Sequence, residues 1–219
     1  MASVELAEVE YRLLKSDPAD RRVTDALDDL FSGDGTIYLI VGFFTFNGYR
    51  SIRDDIENFL DRKPENHLNL VVGPASDQFS PRIADDLWDM DNGDQVDIYS
   101  YRRGLHAKLY LRDGPETHVI LGSANLTQVG FRYNLELGIE LISEDRDHPH
   151  VQPFIDWANE LIDDANRMRR RDLYMPVQVW NSLVNWTNKG RLLPRRHVAK
   201  RIGPIVILLI TVAVLARFL

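Results

Sequence analysis

The pattern of hydrophobic positions predicts alternating strands and helices in the first half of the chain. Runs of consecutive apolar residues at 36–43 and 68–72 are typical of strands that are buried on both faces, and 96–101 is a third, shorter strand. Between these strands, apolar residues recur at helical spacing in residues 49–60 and 81–90. This order favours an α/β fold in which a mixed, largely parallel sheet is flanked by helices.

Residues 105–112 alternate apolar and polar side chains, which indicates a strand with two different faces. The alternation places His106 and Lys108 on the same face of this strand. The Asp113-Gly114 pair predicts a tight turn, after which residues 117–121 return as the neighbouring strand.

Three further segments complete the predicted elements. The first 30 residues are predicted to be helical, and residues 153–168 are predicted to form a closing amphipathic helix. Residues 134–142 alternate again and predict another strand. In that strand we expect one set of side chains in the core, and another set on the opposite face: Leu135, Leu137, Ile139 and Leu141 inward, and Glu136, Gly138 and Glu140 outward.

The C-terminal sequence predicts a transmembrane helix. Residues 202–216 are apolar apart from Thr211, and as a helix residues 202–219 would span roughly 27 Å, close to the ~30 Å hydrocarbon core of a bilayer. A buried core helix is the alternative, but the segment has no polar face and nothing follows it that could pack around it.

The chain is therefore expected to have three parts. Residues 1–168 form the α/β domain, residues 169–201 form a basic juxtamembrane linker, and residues 202–219 form the tail anchor. Within the linker, residues 176–187 suit an interfacial helix. Because the linker is rich in arginine, the positive-inside rule places residues 1–201 in the cytoplasm.

Charge is distributed unevenly along the chain. Residues 1–165 carry 32 acidic and 15 basic side chains, whereas residues 166–219 carry one acidic and 11 basic side chains. An acidic body with 21 Arg and only 5 Lys suggests a halophilic source, and unfolding in low salt would test that hypothesis. The absence of cysteine excludes disulfides, thiolate metal sites and a cysteine nucleophile.

Five polar residues in the predicted hairpin and the strand after it suggest phosphoryl chemistry. The imidazole of His106 can attack phosphorus, and the ammonium of Lys108 can neutralise phosphate oxygens. Ser123 and Asn125 follow a strand end and can donate hydrogen bonds to phosphate. The carboxylate of Glu136 can hold one imidazole nitrogen and so fix the tautomer.

These residues resemble the phospholipase D superfamily, whose signature is H-x-K-x4-D followed by G-S-x-N and a downstream carboxylate. The chain has His106-Ala107-Lys108, then Asp113 after four residues, then Gly122-Ser123-Ala124-Asn125 and Glu136. Eight residues separate Asp113 from Gly122, slightly more than the commonest spacing, which a longer hairpin loop can accommodate. The resemblance covers residues 20–165 and leaves out the C-terminal tail.

The resemblance implies an enzyme that uses no cofactor and no metal ion and that works through a phosphohistidine intermediate. Because the chain holds one such motif, it resembles the single-motif branch, in which a homodimer shares one active site. His106 would then be the nucleophile in one protomer and the general acid and base in the other. Lys108, Ser123 and Asn125 would bind the phosphate, and Glu136 would orient the imidazole. Asp113 ranks last among the candidate catalytic residues, because the motif aspartate of this family tends to be structural.

The sequence is compatible with three functions. A nuclease is the favoured interpretation, because segments around residues 40–52 and 122–141 look like the phospholipase D-type domains of nucleases, although the acidic body should repel a phosphate backbone. A membrane-anchored phospholipase is the alternative, since the tail would hold the site near lipid headgroups. The third is a non-catalytic scaffold that binds nucleic acid or lipid.

Overall fold

Eight strands form one mixed sheet in the part of the chain that the structure, a computed structural model, describes: residues 8–16, 20–73, 79–101 and 104–170. All of these residues belong to one compact unit. Most of the predicted linker and the whole of the predicted tail anchor lie outside the described residues. Among the described residues, no helix is both long and apolar enough to cross a bilayer.

The strands and helices have the following bounds. The strands are β1 Val9–Lys15, β2 Thr36–Val41, β3 His67–Val72, β4 Val96–Ser100, β5 Lys108–Asp113, β6 Thr117–Gly122, β7 Leu137–Ser143 and β8 Asn166–Arg167. The helices are α1 Val23–Ser32, α2 Phe46–Arg50, α3 Arg53–Arg62, α4 Pro81–Asp89, α5 Gln128–Arg132 and α6 Gln152–Asp164.

The strand order is β1-β7-β6-β5-β2-β3-β4-β8. Only the β2–β3 and β3–β4 pairs are parallel, so the expectation of a largely parallel sheet is wrong. A three-residue connection joins β5 to β6 and suits antiparallel pairing, whereas β7 returns beside β6 after a longer connection that contains α5, and β1 adds to β7 antiparallel.

Helices cover the sheet on both faces. Side chains of α1, α3 and α4 pack on one face, together with Leu39, Leu70 and Tyr110. Side chains of α6 pack on the other face, against Leu109 and Leu111. The two sets of side chains that alternate in residues 105–112 therefore belong to two buried layers. The alternation does not mark one buried face and one solvent face.

The N-terminal segment differs from the predicted helix. Residues Val9–Lys15 form strand β1, which pairs with β7 along its full length, and the first helix starts only at Val23. The β-branched and aromatic alternation of Val9, Tyr11 and Leu13 fits an edge strand, and pairing with a partner about 130 residues away overrides the local helical spacing. The single helix predicted at 49–60 is also divided, into α2 and α3.

The faces of β7 differ from those predicted at most positions, although Leu141 is buried as predicted. Leu137 and Ile139 are exposed, at 61% and 38%, whereas Glu136 and Glu140 are buried. Glu140 is buried because it has partners that neutralise it: His118 Nε2 lies 2.7 Å from one carboxylate oxygen, and Arg21 donates to both. The sequence pattern gives no indication of these partners. The alternation alone therefore predicted that the apolar side chains would be the buried set.

Candidate active site

The antiparallel hairpins bring the predicted catalytic residues to one edge of the sheet. In the β5–β6–β7 register, Leu109 lies opposite Leu121, and Gly122 lies opposite Gly138. The start of β5, the end of β6 and the start of β7 therefore meet. His106, Lys108, Ser123 and Glu136 lie at this edge because of that register, and Asn125 follows the end of β6.

His106 and Lys108 are in direct contact. The ammonium of Lys108 donates to the backbone carbonyl of His106 at 2.7 Å, and it lies 3.3 Å from Nδ1 and 3.4 Å from Nε2 of the imidazole. His106 is exposed, whereas only 7% of Lys108 is accessible. Burial lowers the pKa of the Lys108 ammonium, and the charge of Glu136 opposes that shift. A buried cation thus lies beside an accessible imidazole.

Ser123 and Glu136 form the second part of the site. The hydroxyl of Ser123 donates to the Glu136 carboxylate, and its backbone N–H donates to the Leu137 carbonyl at 3.1 Å. The side-chain amide of Asn134 donates to the other carboxylate oxygen at 3.0 Å. Glu136 therefore orients Ser123 and Asn134 of its own chain. Its predicted role in orienting the His106 imidazole stays a prediction.

Asn125 is held by a backbone group directly and by a buried tyrosine through the residue before it. Its side-chain oxygen accepts a hydrogen bond from the Phe43 N–H at 3.3 Å, and the Tyr110 hydroxyl fixes the preceding residue by donating to the Ala124 carbonyl at 2.6 Å. Glycine permits this crowding. A Cβ at Gly122 would lie 2.7 Å from the carbonyl oxygen of Leu137. The backbone around Asn125 is thereby fixed before any substrate binds.

Asp113 lies away from the other five residues. It ends β5, whereas Lys108 begins that strand, so about 17 Å separate them along the sheet. Its carboxylate forms a bidentate ion pair with Arg146, at 2.6 and 2.9 Å, that ties the β5–β6 hairpin to the loop after β7. The structure therefore gives Asp113 a contact outside the site, and its role stays a prediction.

Sequence reasoning missed three contributors to this edge. Ser16, far away in sequence, accepts from the Glu136 backbone N–H at 2.6 Å, and the N–H of Phe43 orients Asn125. Phe154 and Trp157 of α6 line a cavity of about 550 Å³ beside His106. All of these contributions depend on tertiary contacts. The sequence around each of these residues gives no indication that it lies beside the motif.

No group of three or more His, Asp or Glu side chains within the described ranges is arranged to hold a metal ion. What the edge offers is an imidazole in contact with an ammonium, a hydroxyl hydrogen-bonded to a carboxylate, and an amide just after the end of β6. That set can neutralise a phosphodiester and attack its phosphorus.

A mixed sheet that gathers these groups at one edge defines a phosphodiesterase of the phospholipase D type. The family model described as "Cardiolipin synthase, PLD-like domain" matches residues 30–162, so the chain belongs to this family and to the phospholipase D superfamily of phosphodiesterase enzymes. The matched range agrees with the resemblance predicted over residues 20–165. Comparison with curated proteins gives no significant match.

Solved structures show the same fold. Nuc from Salmonella typhimurium, a phospholipase D family member, is 15% identical, with a TM-score of 0.59 over 74% of this chain and 99% of that one. NucT from Helicobacter pylori is 16% identical, with a TM-score of 0.55 over 74% and 100% of the two chains. Phosphatidylserine synthase from Haemophilus influenzae is 14% identical, with a TM-score of 0.60 over 88% of this chain and 47% of that chain.

Proposed function

We propose that the protein is a nuclease that cleaves phosphodiester bonds without a metal ion, through a phosphohistidine formed on His106. The observation that carries the proposal is the contact between the exposed imidazole of His106 and the ammonium of Lys108. An accessible nucleophile beside a fixed cation suits a bulky, anionic diester. The ammonium offsets the substrate charge that would otherwise repel an acidic protein.

The proposed reaction has two steps. A ring nitrogen of His106 attacks the phosphorus, the bond to the leaving oxygen breaks, and the imidazolium of the partner subunit's His106 gives its proton to that oxygen. In the second step the partner's His106 takes a proton from water, the water oxygen attacks the phosphorus, and the N–P bond breaks. Lys108, Asn125 and Ser123 hold the phosphate throughout.

A homodimer supplies the second histidine in this proposal. An apolar surface next to the site supports it: Tyr11, Leu13, Leu137 and Ile139 are exposed on one face of β1 and β7, and Leu13 pairs directly with Ile139. This surface begins at Leu137, the residue after Glu136. A second copy that covered it would bring two sites close together and bury side chains that are costly to leave in water.

Exposed aromatic rings favour nucleic acid as the substrate. Phe43 and Phe46 are both exposed, on the loop that orients Asn125 and on the helix that follows it. The guanidinium of Arg82 lies 5.4 Å from the centre of the Phe46 ring. Rings beside a phosphate site give unpaired bases a surface for stacking.

The alternative is a phospholipase D-type hydrolase of phospholipids. The cavity of about 550 Å³ beside His106 favours it, because Leu109, Leu121, Phe154 and Trp157 give it an apolar lining that suits an acyl chain. We also propose that residues 202–219 anchor the protein in a membrane with the catalytic domain on the cytoplasmic side. The anchor is compatible with either substrate.

One experiment separates the two substrates. The full-length chain, in mild detergent, high salt and chelator, is incubated with plasmid DNA, with single-stranded DNA and with vesicles of anionic phospholipid. We expect DNA cleavage that is lost in His106→Ala and retained in His67→Ala, a control histidine at the opposite edge of the sheet. Lipid hydrolysis without DNA cleavage would assign the alternative function. A strict need for a divalent metal would contradict the phosphohistidine mechanism.

A further inference from the structure

A small polar groove lies between the two short helices next to the active site. Its volume is about 240 Å³, and it is lined by α2 and α5 with the residue after α2: Asn47, Arg50, Ser51, Gln128 and Arg132. Every one of these side chains can donate a hydrogen bond, and none is apolar or acidic. A lining of this kind is built for an anion.

The two arginines of this groove differ from most cations of the domain. Neither Arg50 nor Arg132 has a carboxylate within 4.0 Å among the described residues. Arg53, three residues after Arg50, pairs with Asp86 at 2.9 Å and with Glu57 at 2.8 Å. In so acidic a body, two guanidinium groups that face one groove without a carboxylate partner leave a local positive potential.

Each arginine occupies the last turn of its helix, where a cation is favoured by the helix dipole. The helix dipole explains why each arginine lies at the end of its helix. It does not explain why the two arginines line the same groove. The two arginines come together because the segments just before α2 and α5 are in backbone contact: Phe44 bridges Leu126, and the Thr45 N–H donates to the Leu126 carbonyl at 3.1 Å. Gly48 makes the contact possible, because a Cβ there would overlap the Leu126 carbonyl.

The groove is close to the catalytic phosphate site. Gln128 is three residues after Asn125, so their Cα atoms lie within about 11 Å of one another. The same loops serve both places, because Phe43 orients Asn125 and α2 begins three residues later. A diester bound at His106 would therefore extend its chain toward Arg50 and Arg132.

We propose that this groove, which we call the α2–α5 groove, binds a second backbone phosphate of a nucleic acid whose neighbouring phosphodiester lies at His106. The inference rests on the proposed nuclease function. The groove is smaller than the ~300 Å³ lower range of small-molecule pockets, which suits a phosphate and not a whole nucleotide. Two guanidinium groups match phosphate oxygens, and the amides and hydroxyl can complete the hydrogen bonds.

The test uses the double variant Arg50→Gln/Arg132→Gln in the full-length chain. The matched control is Lys63→Gln/Arg170→Gln, which removes two cations that already pair with carboxylates. The substrates are a 20-nucleotide single-stranded DNA and bis(p-nitrophenyl) phosphate, a diester too short to reach the groove. Binding of the DNA is measured separately by fluorescence anisotropy in the His106→Ala background, so that affinity is known whether or not cleavage occurs.

We expect the groove variant to raise KM for the DNA on the order of 10-fold, with a much smaller effect on the short diester. The dissociation constant should rise equally, and the slope of log K against log salt should fall by roughly 0.7, the value for the loss of one phosphate contact on a single strand. The control variant should stay within about twofold of the wild type.

Equal effects of the two variants on DNA binding would overturn the groove as a phosphate site while leaving the nuclease intact. DNA binding that depends on Arg50 and Arg132 without any cleavage would support the groove and contradict the nuclease. No DNA binding by the wild type would overturn both. If the groove variant lost turnover of anionic phospholipid vesicles and kept its affinity for DNA, the groove would belong to lipid headgroups, which also contradicts the proposal.

Discussion

Lys108 is a cation that the fold buries at the edge of the sheet, in contact with His106 and under the influence of the Glu136 charge. Its ammonium reaches both the ring and the backbone carbonyl of His106, which fixes its position relative to the imidazole. The protein has already removed most of the water around this ammonium before a substrate binds. Little further rearrangement of the surroundings is then needed when negative charge develops on the phosphoryl group. Binding a phosphate there also restores a partner to a partly desolvated ammonium.

Replacing Lys108 with Met should therefore lower kcat/KM by about 10²- to 10³-fold while the domain remains folded. The methionine side chain fills the same buried space without charge. Steady-state kinetics on DNA and on bis(p-nitrophenyl) phosphate measure the loss, and circular dichroism verifies the fold. Lys63→Met, at an exposed position, is the control, and equal kinetics for the two variants would remove Lys108 from the site.

Glu140 shows how a buried charge can stabilise the domain without taking part in catalysis. Burial alone would raise its pKa, but the hydrogen bonds from His118 and Arg21 outweigh that effect and lower the pKa to about 2, from 4.5. Because the pKa is lower in the folded state, the carboxylate contributes stability that is complete above about pH 4.5. That contribution is lost as the pH falls toward 2.

The predicted contribution is about 3 kcal/mol at most. We expect the free energy of unfolding in urea to fall between pH 5 and pH 3 in the wild type, and to fall much less in Glu140→Gln. The control is Glu160→Gln, at an exposed position on α6. A wild type and a Glu140→Gln variant with parallel pH profiles would show that Glu140 is not the group responsible.

Among the elements, the short helices α2 and α5 do most to position the site. Each begins directly after a loop that leaves a strand, and each has a threonine cap: Thr45 accepts from the Gly48 N–H and Thr127 from the Gly130 N–H. Their contact depends on Gly48, which lies against the Leu126 carbonyl. Because Leu126 follows Asn125, the packing of the two helices fixes the position of the Asn125 amide.

Gly48→Ala tests this coupling between packing and chemistry. The added methyl group would overlap the Leu126 backbone, so we expect a loss of stability of about 1–3 kcal/mol together with a lower kcat/KM. Gly104→Ala is the control, since a Cβ there meets no described atom within 4 Å. Urea denaturation and DNA cleavage measure the two effects. A stable variant with full activity would show that α2 and α5 can separate without moving Asn125.

The elements also show why sequence patterns predicted some parts of the fold and missed others. Strands β2 to β4 and helix α4 are local and strongly patterned, so their apolar periods located them within a residue or two. Strand β1 depends on pairing with β7, and the faces of β7 depend on buried partners of Glu136 and Glu140. Those interactions join residues that lie far apart in the chain, and periodicity carries no trace of them.

At the scale of the whole molecule, the site could be predicted better than the topology. The spacing of His106, Lys108, Ser123, Asn125 and Glu136 depends on two hairpins, which are local, and the structure brings all five to one edge. The strand order across the sheet is non-local. Hence the expectation of a largely parallel sheet was wrong, although the helices lie on both of its faces as predicted.

The exposed apolar face of β1 and β7 leads to a prediction about assembly. Leu13→Glu places a charge at the centre of that face, beside Ile139, and should dissociate the proposed dimer. Sedimentation velocity should show a dimer for the wild type and a monomer for the variant, with loss of activity in parallel. Asn92→Glu, an exposed substitution before β4, is the control. An active monomer would contradict the shared site.

The measurement that tests the central claim most directly is detection of the covalent intermediate. The full-length enzyme is mixed with DNA in chelator, quenched in alkali, which preserves phosphohistidine, digested and analysed by mass spectrometry. We predict a phosphoryl adduct on His106 that forms during turnover and is absent from His106→Ala, which should retain less than about one thousandth of the activity. An adduct on another residue, or full turnover by His106→Ala, would contradict the assignment of His106 as the nucleophile.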